Sequence, residues 1–297
     1  MTDAADAVVS AFEAERRRLL HRQWIRALLG VGITSVILGL SFHQSQFFDP
    51  EIGANPIGRI LEFLARMAPH LRTEALLEGR EVDGSLASWF YDLPGWLAAL
   101  WETIEIAVVA TVFGAVAAVF ASFLCARNLM PWAPMRFLVR RLLEAIRTVP
   151  DLIMALILVA AFGAGATAGV ITLTIATLGG LGKLFAEINE EVDPRQLEML
   201  DAAGAGPVSK IRFGVLPQVL PNYASYILLR LEINVAAAAA LGIVGAGGIG
   251  LELQRAITYT EFSTYLAILL LMVLVIFVID MTSEAIRHNL LLRAEKS

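Results

Sequence analysis

Charge is scarce in this chain of 297 residues. Asp, Glu, Lys and Arg make up 17% of it, against about 25% in an ordinary soluble domain. Hydrophobic residues reach 57%, and the mean hydropathy is +0.68. The single cysteine, Cys125, excludes an intramolecular disulfide and a cysteine metal cluster. It sits in an apolar run and reads as a small buried packing residue. The four histidines are scattered, without metal-ligand spacing. No cofactor is implied. The net charge of -5 removes the electrostatic footprint of a nucleic-acid binder. No G-x-x-x-x-G-K-S/T phosphate loop is present, so any ATP chemistry belongs to another polypeptide. No A-x-A-like cleavage site closes the first apolar run, which reads as a retained span.

What the chain has is long apolar runs. A stretch of about 18 or more apolar residues can cross the hydrocarbon core as a helix. The first runs from about Trp24 to Phe42 and the second from Ile106 to Ala126. The charge-free stretch from Leu152 to Gly182 is too long for one ordinary span, and its middle reads GAGATAG, Gly163 to Gly169. Glycines so placed break helices. Two spans are expected there, about Ala145–Phe162 and Ala168–Phe185. The last two are about Asn222–Leu241 and Phe262–Ile279. One tilted helix in the middle would leave five spans. Basic residues collect in short cytoplasmic segments, and six spans put most of them on one side. These are Arg16 to Arg26, Arg127 to Arg147, Lys183 to Arg212, and Arg287 to Lys296. Both termini are then cytoplasmic, and His43–Asp92 is an acid-rich outer loop. Within it, PIGRILEFLARM spaces Ile57, Ile60, Leu61, Leu64 and Met67 as on an amphipathic helix.

The inner segment 187–221 carries specific punctuation. Asp193 can cap a helix whose first residue is Pro194. Gln196 stands where a capping box wants it, and Gly204 stands at a natural C-terminal position. Gly206 and Pro207 start a second short helix, which Gly214 and Pro217 are expected to end. The reading is two short helices at a sharp angle on the cytoplasmic face. Such a hairpin can fit a groove on a soluble motor and pass on a rigid-body movement.

This segment resembles the EAA loop of ABC-importer permeases, which reads Glu-Ala-Ala, three residues, Gly, then Leu-Pro after a fixed interval. Glu198 takes the place of the Glu. Gly204 follows six residues later and Pro217 thirteen after that, preceded by Leu216. Met199 and Leu200 replace the two alanines, a departure that bears on docking-surface detail. VLPQVLPNYASYILLRLEINV with ALGIVGAGGIG is similar to the phosphonate-type permeases. So are WETIEIA from Trp101, ARN at Ala126 to Asn128, and RTVPDLIMAL from Arg147. The likeness covers roughly Trp101 to Arg287. Relatives of that type often carry an arginine directly after the NV, where this chain has Ala236.

The resemblance implies an all-α integral membrane protein of six transmembrane helices with type I ABC importer permease architecture. It implies a permease domain over 93–286, an amino-terminal region 1–92 and a cytoplasmic tail 287–297. ATPase coupling would fall to Asp193, Pro194, Glu198, Asp201, Ala202, Gly204, Ala205, Pro207, Leu216 and Pro217. Implied partners are two cytoplasmic ABC ATPase subunits, a second permease copy forming a homodimer, and a periplasmic or lipid-anchored substrate-binding protein. Membrane lipid surrounds them, and nucleic acid has no part. The implied cargo is phosphonate or a related phosphorus oxyanion.

Ionisable groups within spans tend to mark pathways. Tyr226, Arg230 and Asn234 share a helical face by four-residue spacing, and Glu232 points nearly opposite. An arginine on a path suits an oxyanion, because its planar fork matches phosphonate or phosphate oxygens. The alternative is a structural pair of Arg230 with Glu187 or Glu190. Glu102 and Glu105 could meet Arg255 on the outer side. GAGGIG, Gly245 to Gly250, satisfies G-x-G-x-x-G literally but follows an alanine-rich membrane helix, which is the wrong context for a dinucleotide site. Gly245, Gly247 and Gly248 are candidates for close backbone packing or for presenting N–H groups to an anion on the path. Competing functions are an ion-gradient carrier, which should show internal repeats, a membrane-embedded enzyme, and a permease of this architecture for an amino acid or metal chelate.

Overall fold

The computed structural model describes residues 2–44 and 56–294. They fall into two compact units, residues 1–65 and 66–297. The first unit holds α1, Thr2–Gln44, and most of α2, Pro56–Met67. α2 is the amphipathic helix that its apolar spacing predicts. The acidic Asp49 and Glu51 of the expected outer loop, and Lys296 of the tail, lie outside the described residues.

Every regular element among the described residues of the second unit is helical. The unit runs α3 (Leu86–Trp89), α4 (Leu93–Cys125), α5 (Ala133–Thr148), α6 (Asp151–Phe162), α7 (Ala166–Glu190) and α8 (Pro194–Ala202). Then come α9 (Pro207–Ser209), a π-helical turn Lys210–Val215, α10 (Leu216–Gly242), α11 (Ile249–Thr258) and α12 (Phe262–Ala294). Among the described residues, five helical stretches are long and apolar enough to cross a membrane: Glu15–Gln44, α4, α7, Pro207–Gly242 and α12. A sixth crossing exists only if the bent pair α5–α6 counts as one.

That pair corrects the expected span Ala145–Phe162. Its first four residues belong to α5, and α5 meets α6 at 87°. The cause is Pro150, which drives Val149 into extended backbone at φ -84°, ψ 119°. α6 has 12 residues, about 18 Å at 1.5 Å per residue, short of a hydrocarbon core of about 30 Å. The expected glycine break is present. α6 stops at Gly163 (φ 87°), and Gly165 (φ 145°) leads into α7. Other spans extend past the charge-free stretches. α4 starts at Leu93, well before Ile106, because Glu102 and Glu105 are good helix formers and Pro94 and Gly95 fall in its first turn.

α4 and α7 make the most extensive helix pair. Gly114 lets them close: a Cβ there would lie 2.5 Å from Thr177 Cβ. Small residues at a contact are what membrane helices need, since lipid tails are as apolar as the side chains and only packing favours association. α10 lies against α4, α7 and α12. The core has four parts along α4, the last being Cys125 packed with Leu143 and Ala186. Trp96 and Leu100 pack with Ile249, Leu253 and Ile268 near its start. Ile106, Ala107 and Ala110 pack with Leu173, Val235 and Leu241 in its middle. Ala115 and Ala118 join the group of Phe185, Val215, Val219 and Tyr223 near its end.

Candidate functional site

The hairpin after α7 is built as its punctuation predicts at three points. Asp193 caps α8, with Oδ1 accepting from Arg195 N at 3.0 Å. Pro194 is the first helical residue. α8 ends in paired bonds from Ala205 N to Leu200 O and from Gly204 N to Asp201 O, both 2.9 Å, with Gly204 at φ 74°. That is a Schellman closure, whose left-handed residue favours glycine.

Two expectations fail here. Gln196 forms no capping box. Its Oε1 accepts from Gln218 Nε2 at 2.9 Å, while Gln218 Oε1 accepts from Asp193 N at 3.3 Å. A glutamine on α10 therefore satisfies the orphan N–H, and it ties the hairpin to the helix that follows. Nor do Gly214 and Pro217 end the second arm. Pro207 opens a helical stretch that continues through the π-helical turn into α10 up to Gly242. Pro217 falls in the first turn of α10, where a missing N–H is tolerated. Gly214 has a packing role: a Cβ there would lie 2.8 Å from Leu200 Cδ1. Leu200, one of the two departures from Glu-Ala-Ala, fills that opening. Lys210 forms an ion pair with Asp201 across the two arms. Glu198, Ala202, Met199 and Val208 remain exposed, the last two at 65% and 78%.

At the root of the hairpin lies a buried polar triangle. Tyr223 Oη donates to Asn189 Oδ1 at 2.7 Å, and Asn189 Nδ2 donates to Ser122 Oγ at 3.0 Å. Ser122 Oγ and Tyr223 Oη lie 3.2 Å apart. The three residues are 0 to 2% exposed, and the Tyr223 ring stacks on Phe185 at 3.9 Å. Asn128 Nδ2 donates to Asn189 O at 2.6 Å, and Glu190 accepts from Arg127 N at 2.7 Å while pairing with Arg140 on α5.

Farther along α10, Asn234 Nδ2 donates to Thr111 Oγ1 and to Thr177 Oγ1, both at 2.8 Å. Arg230 Nε donates to Thr177 Oγ1 at 3.2 Å. Asn234 is fully buried, so Tyr226, Arg230 and Asn234 do not present one open face. The exposed stripe of α10 runs through Tyr226, Leu229, Ile233, Ala236 and Ala240. Arg230 sits at its border, with terminal nitrogens that make no hydrogen bond among the described residues. Its neighbouring carboxylate is Asp151. Glu190 pairs with Arg140 instead, and no ion pair of Arg230 with Glu187 forms among the described residues.

Residues 110–290 match the family of binding-protein-dependent transport system inner membrane components. The chain belongs to this family. It is a permease subunit of an ABC importer and a multi-pass protein of the inner membrane. It is 38% identical to a phosphite transport system permease of Stutzerimonas stutzeri over 65% of this chain and 70% of that one. It is 35% identical to a phosphate-import permease of Mycolicibacterium smegmatis over 64% of this chain and 36% of that one. The fold matches that of an inward-facing methionine ABC transporter, with a TM-score of 0.57 and 22% identity over 66% of this chain and 95% of that one.

The candidate glycines of the path are interior. Residues 245–250 are all buried. Gly245, Gly247 and Gly248 have φ of 94°, 88° and 70°. A Cβ on Gly248 would fall on Thr103 Oγ1, the same atom that accepts from Ile249 N at 2.9 Å. Gly245 O accepts from Gly165 N at 2.8 Å. The turn is a close-packed backbone joint between α4, α7 and α10, with the N–H groups of Gly245, Ala246 and Ile249 already bonded. Glu232 faces α12, with Arg287 at 3.8 Å across an ion pair longer than a hydrogen bond. The pair lies inside the subunit. Glu105 accepts from Trp101 Nε1 at 2.6 Å and Arg255 pairs with Glu252 at 2.5 Å, so the expected contact of Glu102 and Glu105 with Arg255 does not form.

Proposed function

We propose that this permease imports a phosphorus oxyanion such as phosphite, phosphate or phosphonate, as a homodimer driven by two separate ATPase subunits. Both termini lie in the cytoplasm, and the hairpin 187–221 lies on that side as the seat of the ATPase. The observation that carries the reading is the hairpin. It is capped at both ends of α8, exposes Glu198, Met199 and Val208, is tied to α10 by Gln218, and is braced across its two arms by the Lys210–Asp201 pair. A rigid handle of this kind can transmit a domain movement to the spans. A substrate-binding protein delivers the anion on the opposite side, and ATP binding and hydrolysis alternate the access.

The path runs along the exposed stripe of α10 between two copies. Arg230 supplies the oxyanion contact: its Nε is anchored on Thr177, which leaves the terminal pair of nitrogens for a bidentate partner. Ala236 adds no second cation on this helix. Relatives named for phosphite and phosphate transport support this substrate class. The test is uptake of labelled phosphite, phosphate and a phosphonate into vesicles holding the permease, its ATPase and its binding protein. ATP-dependent uptake of at least one is expected. Uptake without the ATPase, driven by an ion gradient, overturns the reading.

A further inference from the structure

We infer that Ser122, Asn189 and Tyr223 are the positioning residues that turn movement of the hairpin into movement of the spans. The inference rests on the ATPase-coupling reading above. Its basis is that the α-helical ladder is interrupted on both routes by which the chain leaves the hairpin. On one side α7 ends at Glu190, three residues before the capping Asp193. On the other side, the route into α10 passes through the π-helical turn Lys210–Val215 and then Pro221 inside the helix. A π-helical turn widens the hydrogen-bond ladder, and an interior proline deletes one of its bonds. Such a stretch is less stiff than an unbroken α-helix, so backbone alone is a weak link between the hairpin and α10.

Tyr223 stands two residues beyond Pro221 and supplies the fixed tie. Its hydroxyl is bonded to Asn189 on α7 and lies against Ser122 on α4, while its ring stacks on Phe185. The triangle lies within an apolar group that also holds Val192, Val215 and Val219. Apolar side chains of the same shape would fill this place at no loss of stability, whereas satisfied buried polar networks fix a unique arrangement. The bonds from Asn128 to Asn189 O and from Arg127 N to Glu190 extend the tie to the α4–α5 connection. Three spans therefore share one knot at the point where the hairpin is rooted.

The test uses the complete transporter in vesicles, with ATP hydrolysis and uptake measured on the same preparation. Tyr223→Phe keeps the stacked ring and removes the hydroxyl, and Asn189→Ala removes both of its bonds. In both variants the ATPase should still co-purify and hydrolysis should continue. Uptake per ATP hydrolysed should fall about tenfold, the factor that a buried hydrogen bond at the upper end of its range controls. An unchanged ratio in Tyr223→Phe overturns the inference, as does a parallel fall of uptake and hydrolysis. Loss of ATPase co-purification in both variants also overturns it, because the triangle would then shape the docking surface. Gly204→Val tests the underlying reading separately: if the ATPase is held as tightly by that variant as by the native permease, the hairpin is not its seat.

Discussion

The two ends of α4 hold the same three helices together by opposite means. Thr103 and Ser122, the contact residues at each end, are about 28 Å apart along the helix. At Thr103 the joint is backbone against backbone, with three glycines at positive φ and no room for a Cβ on Gly248. At Ser122 the joint is a triangle of side chains beside a π-helical turn and an interior proline. Steric closure tolerates no displacement. Hydrogen-bonded side chains hold a geometry and can still travel with it. The contrast suits a lever, with the glycine turn as the fixed end and the hairpin as the moving one.

Breaking the fixed end should have the largest effect. Gly248→Val puts a branched residue at φ 70° and drives it into Thr103. The strain amounts to about 3 kcal/mol or more, and yield and protease resistance of the membrane-inserted protein should collapse. Gly206→Ala, in open space at φ -70°, should leave both unchanged. Next comes Arg230→Gln. Loss of one partner of a charge-assisted contact is worth about 2–5 kcal/mol, so oxyanion uptake should fall about 100-fold with assembly intact, while Arg230→Lys should retain part of it.

Gly204→Val separates strain from clash. The residue sits at φ 74° with nothing within 4 Å, so only conformational strain of about 1–2 kcal/mol applies. ATPase capture should weaken about tenfold with normal permease yield. The smallest effect belongs to Asp193→Ala, which removes a cap bond worth about 1 kcal/mol. Because Gln218 holds Asp193 N independently, the double variant with Gln218→Ala should weaken ATPase capture more than either single change.

The hairpin was legible because its signals are local. Asp193, Pro194, Gly204 and Pro207 each act within a turn of their own position, and the structure uses them as the sequence suggests. The glycine break between α6 and α7 was legible for the same reason. Pro150 carried an equally local signal, but it lies inside a hydropathy run, and hydropathy is blind to direction: it cannot separate a straight span from one bent by 87°. The second arm was misjudged because Gly214 and Pro217 look like terminators. Only the packing of Leu200 on Gly214 shows why the glycine is there.

The polar triangle left no trace in the sequence, for its members are 34, 67 and 101 residues apart. Ser122, Asn189 and Tyr223 each resemble the ordinary polar residues of a span end. Arg230 was recognised as costly at membrane depth, but its four-residue spacing to Asn234 suggested a shared open face. The threonines of α4 and α7 decide otherwise, by drawing Asn234 into the interior.

The most direct test places a single reactive thiol on the hairpin. Cys125 is buried and is the one native cysteine, so Cys125→Ser gives a clean background, and Met199→Cys puts a thiol at a position that is 65% exposed. In inner-membrane vesicles of known sidedness, this thiol should react only from the cytoplasmic side and cross-link to the ATPase through a short bifunctional reagent. Labelling from the periplasmic side, or a transport-competent complex in which no ATPase cross-link forms, would contradict the account.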